Sequence, residues 1–209
     1  MPSQLMDSVP LSPRRVTTAR GSASESRDTR RGPAGTLVSY YTRQIRGKPF
    51  AERAPIRQQV VKLLTETNSL DACTDEFIKI CVGEGGPTGI DLAVDVLSKI
   101  GTRLLEYAWG YLHRDLLNLK GGRPYEPNDD YWYVLLRAVA RVHDDERSRF
   151  RFISCCKEAE SRGVREGVVE GFRDLGTAAA IKQVKWFAEH DADSFIRGIA
   201  KEALDDMEI

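Results

Sequence analysis

An internal repeat joins VREGVVEGFRDL, residues 164–175, to IRGIAKEALDDM, residues 196–207, which lies 32 positions further along the chain. Both segments place apolar residues at helical spacing. A shift of 32 positions toward the N-terminus sets Trp132, Leu136, Val139 and Ala140 opposite Val164, Val168, Gly171 and Phe172. Three helices in one register, with partner helices expected at residues 146–160 and 178–190, predict stacked helical hairpins.

Turn-forming residues separate these helices at regular intervals. They lie at Asp144-Asp145, Ser161-Arg162, Gly176-Thr177 and Asp191-Ala192-Asp193. Inside the repeated helices the small residues are Gly167, Gly171, Gly198 and Ala203. Because Gly lowers helix propensity by up to about 1 kcal/mol relative to Ala, their presence favours close approach of neighbouring helices.

The segment from Trp132 to the end resembles short HEAT-type repeats. The best matches are Val164-Arg165 with Leu175-Gly176, and Asp193 with Ile196-Arg197, whereas the first repeat has Tyr133 in place of the arginine. The resemblance implies an α-solenoid with first helices outside, second helices lining the concave side, and a scaffolding or recognition role. We therefore expect an all-α fold, an α-α superhelix of stacked antiparallel helical hairpins.

The N-terminal half predicts further helices. Apolar spacing favours a helix from Pro55, a second over residues 70–81 that ends at Gly83, and a long third from Thr88 with a kink at Gly101. The predicted organisation is a disordered basic arm at 1–36, a helical part at 37–119, a loop at 120–128 and HEAT-like repeats at 129–209.

Charge is distributed unevenly along a chain that has no net charge overall. Residues 1–63 hold 12 basic and 4 acidic residues, so the remainder holds 19 basic and 27 acidic residues. Arginines are frequent in the arm, which favours either a solvated leader with no role or weak binding of an anionic partner, and nucleic-acid binding is an alternative function. The arginines concerned are Arg14, Arg15, Arg20, Arg27, Arg30 and Arg31.

The cysteines and apolar segments indicate a cellular compartment. The sequence has four cysteines but no zinc-type spacing, no secretory leader and no apolar stretch long enough to span a membrane. These features predict a cytoplasmic protein with no metal and no cofactor. Cys155-Cys156 would form a redox pair only if both were accessible, and the apolar spacing of Cys156 favours packing instead.

Histidines supply the competing enzymatic hypothesis. The His143-Asp144 pair, with His113 and Asp191, resembles the ligand set of all-helical metal phosphohydrolases of the HD type. That resemblance implies a metal-activated water that attacks a phosphoester. The repeat register offers another interpretation, because it places His143 at a helix C-terminus, where an imidazole is electrostatically favoured.

Two other binding motifs are incomplete. The glycines of residues 83–89 suggest a phosphate loop, but Thr88 stands where the third glycine of the fingerprint belongs. Trp109 and Tyr111, near His113 and Asp115, suggest the base pocket of helical-repeat DNA glycosylases. The excess of acidic residues over 64–209 argues against that pocket, because it would repel phosphates.

A partner-binding surface is predicted on the second helices. Their outward positions carry Phe150 and Lys157, then Lys182, Trp186 and Glu189, and the repeat register aligns Phe150 with Lys182. Exposed aromatic residues with lysines at their margin are typical interface anchors. The sequence therefore favours a non-enzymatic adaptor or regulatory subunit that binds another protein. The alternative that Trp186 only covers a neighbouring hairpin stays open.

Overall fold

The structure, a computed structural model, describes residues 50–66, 70–120, 129–143 and 145–207, together with positions 44 and 48. These residues contain no strand, and their helices are α1 Phe50–Glu66, α2 Leu70–Ser98, α3 Thr102–Lys120, α4 Asp129–Ala140, α5 Glu146–Cys155, α6 Arg162–Leu175, α7 Ala178–His190 and α8 Ser194–Met207. The predicted all-α fold of stacked helical hairpins is confirmed. The predicted disordered arm at 1–36 lies outside the described residues, as do residues 121–128 of the predicted loop.

Side-chain caps fix the hairpin turns at the predicted places. Asp145, Ser161 and Thr177 each accept a hydrogen bond from the backbone N–H three residues on, at the starts of α5, α6 and α7. Helix α6 ends at Gly176, which has a φ of 66° in the left-handed region that glycine adopts at low cost. Asp144 is outside the described residues.

Two equivalent arginines bind the preceding turn in the same way. Arg165 Nη1 donates to the carbonyl oxygens of Ala159 and Glu160, at 2.9 and 2.7 Å. Arg197 Nη1, one repeat later, donates to the carbonyl oxygens of Asp191 and Ala192, at 2.6 and 3.1 Å. The 32-residue register of the sequence is therefore also a register of contacts.

Asp191 joins the two repeats that these arginines belong to. Its Oδ2 accepts from Arg165 Nε at 3.0 Å, and its Oδ1 accepts from the backbone N–H of Asp193 at 2.8 Å. One repeat earlier the equivalent positions hold Tyr133 and Ala159. Both members of the ion pair are thus replaced together in the repeat that departs from the pattern.

Glycines let the first helices α4 and α6 approach closely. A Cβ on Gly167 would lie 2.9 Å from the Cα of Tyr133, and one on Gly171 would lie 3.3 Å from the carbonyl oxygen of Leu136. The prediction of close approach is confirmed at these two positions. It is wrong for Gly198, where a Cβ would meet nothing within 4 Å, because that face of α8 has no described neighbour.

A buried ionic network connects the first helices. Arg137, which is 7% exposed, places its Nε 2.9 Å from Asp174 Oδ2 and 3.9 Å from Glu170 Oε2. Arg141 reaches the other oxygen of Asp174 at 2.7 Å. Glu170 also pairs with Arg173, which in turn lies 3.5 Å from Asp206 on α8. The network ties α4, α6 and α8 together.

Burial raises the pKa of Glu170, despite the opposing charges of Arg173 and Arg137. The Glu170 carboxyl therefore binds a proton more tightly in the folded state than in the unfolded state. Protonation of Glu170 raises the free energy of unfolding as pH falls through the raised pKa. We expect Glu170→Gln to increase the free energy of unfolding at neutral pH. The gain should disappear below the ordinary carboxyl pKa of about 4.3.

Urea unfolding of this variant at a series of pH values measures the effect. Glu202→Gln, at an exposed position of α8, is the matched control and should leave the pH profile unchanged. A loss of stability in Glu170→Gln at neutral pH would mean that the ion pairs outweigh the cost of burial.

The N-terminal helices differ from the predicted boundaries. Helix is assigned without interruption across the break expected between Gly83 and Thr88, but the path of the chain turns back on itself in this segment. The segment is bent, since the backbone of Gly89 lies against the Cys81 carbonyl, whereas eight residues of straight helix span about 12 Å. The chain breaks instead at residues 99–101, where Gly101 has a φ of 74°.

A tyrosine cluster joins the N-terminal helices to the repeats. The hydroxyls of Tyr107 on α3 and Tyr131 on α4 donate to the same Asp75 oxygen on α2, at 2.8 and 2.6 Å. Burial raises the pKa of both tyrosines, so they are neutral donors at physiological pH. Together with α2 packing on α4, this cluster gives the described helices one continuous core.

Candidate functional site

Trp186 on α7 is one of two large apolar side chains that are exposed among the described residues, at 39%; the other is Phe195, at 44%. The Nζ of Lys157, just after the end of α5, lies 3.6 Å from the centroid of the indole ring. The His190 ring stacks with the indole at 5.6 Å and an interplanar angle of 15°. Trp186 is therefore held by side chains of two successive hairpins and remains accessible.

Phe150 lies on the preceding second helix, at the position equivalent to Lys182, and is less accessible than Trp186. Its ring centroid is 5.4 Å from that of Phe172, and the side chain is partly buried against the core. One edge of Phe150 lines an open cavity of about 440 Å³. The other lining residues are Arg147, Ser148, Arg151 and Ser154, all on α5.

We define the second-helix face as the outward residues of α5 and α7 together with the residue that follows α5. Its members are Arg147, Phe150, Arg151, Ser154, Lys157, Lys182, Trp186 and Glu189. All five residues predicted for partner binding are at least partly open to solvent, although Phe150 packs against Phe172 and Trp186 contacts the buried ring of Phe187. Whether a partner binds this face stays a prediction.

Two cations on this face, Arg151 and Lys182, have no carboxylate partner among the described residues, whereas Arg147 interacts electrostatically with Asp145. Arg147, Arg151 and Lys182 are exposed, and none of them forms a salt bridge to another residue that the structure describes. Arg151 lies over the Trp109 ring, with its guanidinium carbon 5.9 Å from the centroid. The only anion of the face is Glu189, whose Oε2 is 3.8 Å from His190 Nδ1.

The first helices have the opposite arrangement, because their arginines are paired. Arg137, Arg165 and Arg173 each contact a carboxylate of a neighbouring helix or turn. A second cavity, of about 290 Å³, opens beside the first helices and is lined by the carboxylates of Asp91, Asp129, Asp130 and Glu166. Carboxylates therefore collect beside the first helices, while cations that form no salt bridge with a described residue collect on the second-helix face.

The proposed metal ligands of the HD hypothesis do not come together. His113 and His143 are exposed, Asp144 is outside the described residues, and Asp191 is buried with both oxygens bonded to Arg165 and the turn. No group of three or more His, Cys, Asp or Glu side chains in the described part of the chain has the arrangement of a metal site. Asp191 is thus a structural residue of the repeat.

The remaining sequence candidates are occupied by packing. The Trp109 ring contacts Phe152 edge-on at 5.2 Å, and Tyr111 stacks on Tyr131 at 4.7 Å, so these aromatics do not form an open base pocket. Cys156 is buried and Cys155 is exposed, so the two thiols are not equally accessible. The glycine segment 83–89 is part of α2 rather than of a loop between a strand and a helix.

Comparison of the chain with protein-family models, with curated proteins and with solved structures finds no match. None of the described helices is long and apolar enough to cross a membrane.

Sequence reasoning missed Arg147, Arg151 and the stacking role of His190. The signal was present for the arginines, since positions four apart on a helix share a face and Arg147 and Arg151 continue the line of Ser154. No role was predicted for His190; among the residues near it, only Asp191 belonged to the proposed ligand set. The position of His190 four residues after Trp186 already places the two rings on one side of the helix.

Proposed function

We propose that this protein is a non-enzymatic adaptor or regulatory subunit that binds another protein through its second-helix face, and that its repeats are of the HEAT type. The repeated bonding of Arg165 and Arg197 to the preceding turn supports the repeat assignment. Stacked hairpins hold their side chains rigidly, so a partner loses little free energy to ordering of the scaffold on binding.

The observation that carries the binding function is the environment of Trp186. Trp186 is accessible and yet held by Lys157 of the preceding hairpin, and such a tryptophan has the chemistry of an interface anchor. A solvent-exposed indole also exposes apolar surface that a partner would bury favourably. Lys182 and Glu189, one turn to either side, supply polar contacts at the rim.

The test is a quantitative pull-down of the tagged full-length chain with Trp186→Ala as the variant. Loss of an anchor of this kind weakens binding by about 2 kcal/mol, so we expect about a 30-fold rise in Kd for the captured protein. Phe195→Ala is the matched control, because Phe195 is as exposed as Trp186 but lies on α8 beneath Arg162, at 3.9 Å. Circular dichroism of both variants checks the fold.

Capture that is near-stoichiometric, lost in Trp186→Ala and retained in Phe195→Ala supports the proposal. Equal binding by Trp186→Ala and the unmodified chain would contradict it, and so would the absence of any captured protein.

A further inference from the structure

We infer that the partner segment which binds the second-helix face is acidic and carries an apolar side chain, an inference that rests on the proposed function and specifies its partner. Three features of the face lead to this chemistry: its excess of cations over anions, the absence of salt bridges from Arg151 and Lys182 to described residues, and the apolar surface of Trp186 and Phe150 beside these cations.

The excess of cations is local to the second helices. The face has four basic members, Arg147, Arg151, Lys157 and Lys182, and one acidic member, Glu189. Residues 194–207 of α8 contain two basic and three acidic residues instead. The acidic character of residues 64–209 is therefore not a property of the face that would bind.

The cations are available, because Arg147, Arg151 and Lys182 are exposed and form no salt bridge with described residues. The positive potential of these cations favours encounter with a negatively charged segment and suppresses encounter with a basic one. Charges at the rim of an interface act mainly on the association rate, so this preference depends on ionic strength.

Apolar surface also lies beside these cations. A partner that covers this surface favourably must therefore carry an apolar side chain as well as negative charge. The exposed part of Trp186 and the open edge of Phe150 in its cavity of about 440 Å³ could each be buried by an aliphatic or aromatic side chain of the partner. A purely electrostatic ligand would leave this surface in water. An acidic protein segment with an apolar residue satisfies both requirements, which a nucleic-acid backbone alone does not.

The test uses a fluorescein-labelled peptide rich in glutamate with leucine and phenylalanine at its centre, titrated with the full-length chain by fluorescence anisotropy. The variant is Arg151→Glu combined with Lys182→Glu. We expect about a tenfold rise in Kd at low ionic strength, and a much smaller difference at high salt. Lys201→Glu is the matched control, because Lys201 is an exposed lysine on α8, away from the face, and it should not change the Kd.

Absence of binding by the acidic peptide would overturn the inference, as would equal weakening by Lys201→Glu. Labelled oligothymidylate is the third probe. If the oligonucleotide binds as tightly as the peptide, and the Arg151→Glu, Lys182→Glu double variant no longer binds it, the face is a nucleic-acid surface and the inference is wrong.

The inference and the proposed function fail in different ways. If a captured protein requires Trp186 for binding but binds the Arg151→Glu, Lys182→Glu double variant equally well, the adaptor function is retained. The inference that the partner segment is acidic is then overturned. Peptide binding that depends on the cations but is unchanged in Trp186→Ala would contradict the proposed anchor and retain the charge preference.

Discussion

Asp174→Ala is expected to lower the free energy of unfolding by about 3 kcal/mol and the Tm by about 10 °C. Asp174 is the carboxylate closest to Arg137, whose side chain is 9% exposed, as is that of Asp174 itself. Its removal leaves a buried guanidinium with only Glu170 at 3.9 Å and Asp91 at 3.6 Å to compensate. Thermal and urea unfolding of the variant measure the loss.

Asp206→Ala is the control for this prediction. It also removes an aspartate that contacts an arginine across first helices, but the Asp206 side chain is 65% exposed and lies 3.5 Å from Arg173. Exposed pairs of this kind contribute at most about 1 kcal/mol, because water replaces the lost contact. Equal losses in the two variants would show that burial of Arg137 is not the cause. Adding Arg137→Met to Asp174→Ala should recover part of the loss.

Gly167→Ala is expected to destabilise the protein by about 1–3 kcal/mol, although alanine is the better helix former. The added Cβ would lie 2.9 Å from the backbone Cα of Tyr133 and 3.1 Å from Leu136 Cδ1. Backbone cannot rotate out of the way as a side chain can, so α4 and α6 would have to separate. Their separation would also loosen the contact of Arg137 with Asp174.

Gly198→Ala is expected to have the opposite sign. The same substitution on α8 meets no atom within 4 Å, so only the gain in helix propensity remains, about 1 kcal/mol of added stability. Urea unfolding of both variants, compared at equal m-value, gives the two signs. Stabilisation by both substitutions would show that the close approach of α4 and α6 yields to a methyl group without cost.

The repeat made much of the C-terminal half predictable from sequence. Serine and threonine are common N-cap residues, and glycine is a common residue just after the C-terminus of a helix. Ser161 and Thr177 cap the starts of α6 and α7, and Gly176 caps the end of α6, as predicted. The candidate face was accessible to the same reasoning, since helical spacing places Lys182 and Trp186 outward once Val184 is assigned to the core. Its cavity and the absence of salt bridges from its arginines to described residues required the coordinates.

Other features could not be read from sequence because they depend on what lies opposite a residue. Gly83 and Gly101 both follow an apolar helical segment, so the sequence predicted a helix end or a kink at each. Only Gly101 has a left-handed φ, whereas the segment after Gly83 is assigned to α2. In the 32-residue register Phe150 and Trp186 lie four positions, about one helical turn, apart on successive second helices, and packing against Phe172 partly buries Phe150.

By itself the sequence determined the all-α class, the 32-residue register and the positions of the turns, because helical periodicity and capping are local properties of a few neighbouring residues. Only the tertiary structure decided that Asp191 is an ion-pair partner rather than a metal ligand, that Gly167 and not Gly198 is a contact point, and that Arg151 and Lys182 form no salt bridge with a described residue. Each of these depends on distances between residues far apart in the chain, and packing alone sets those distances.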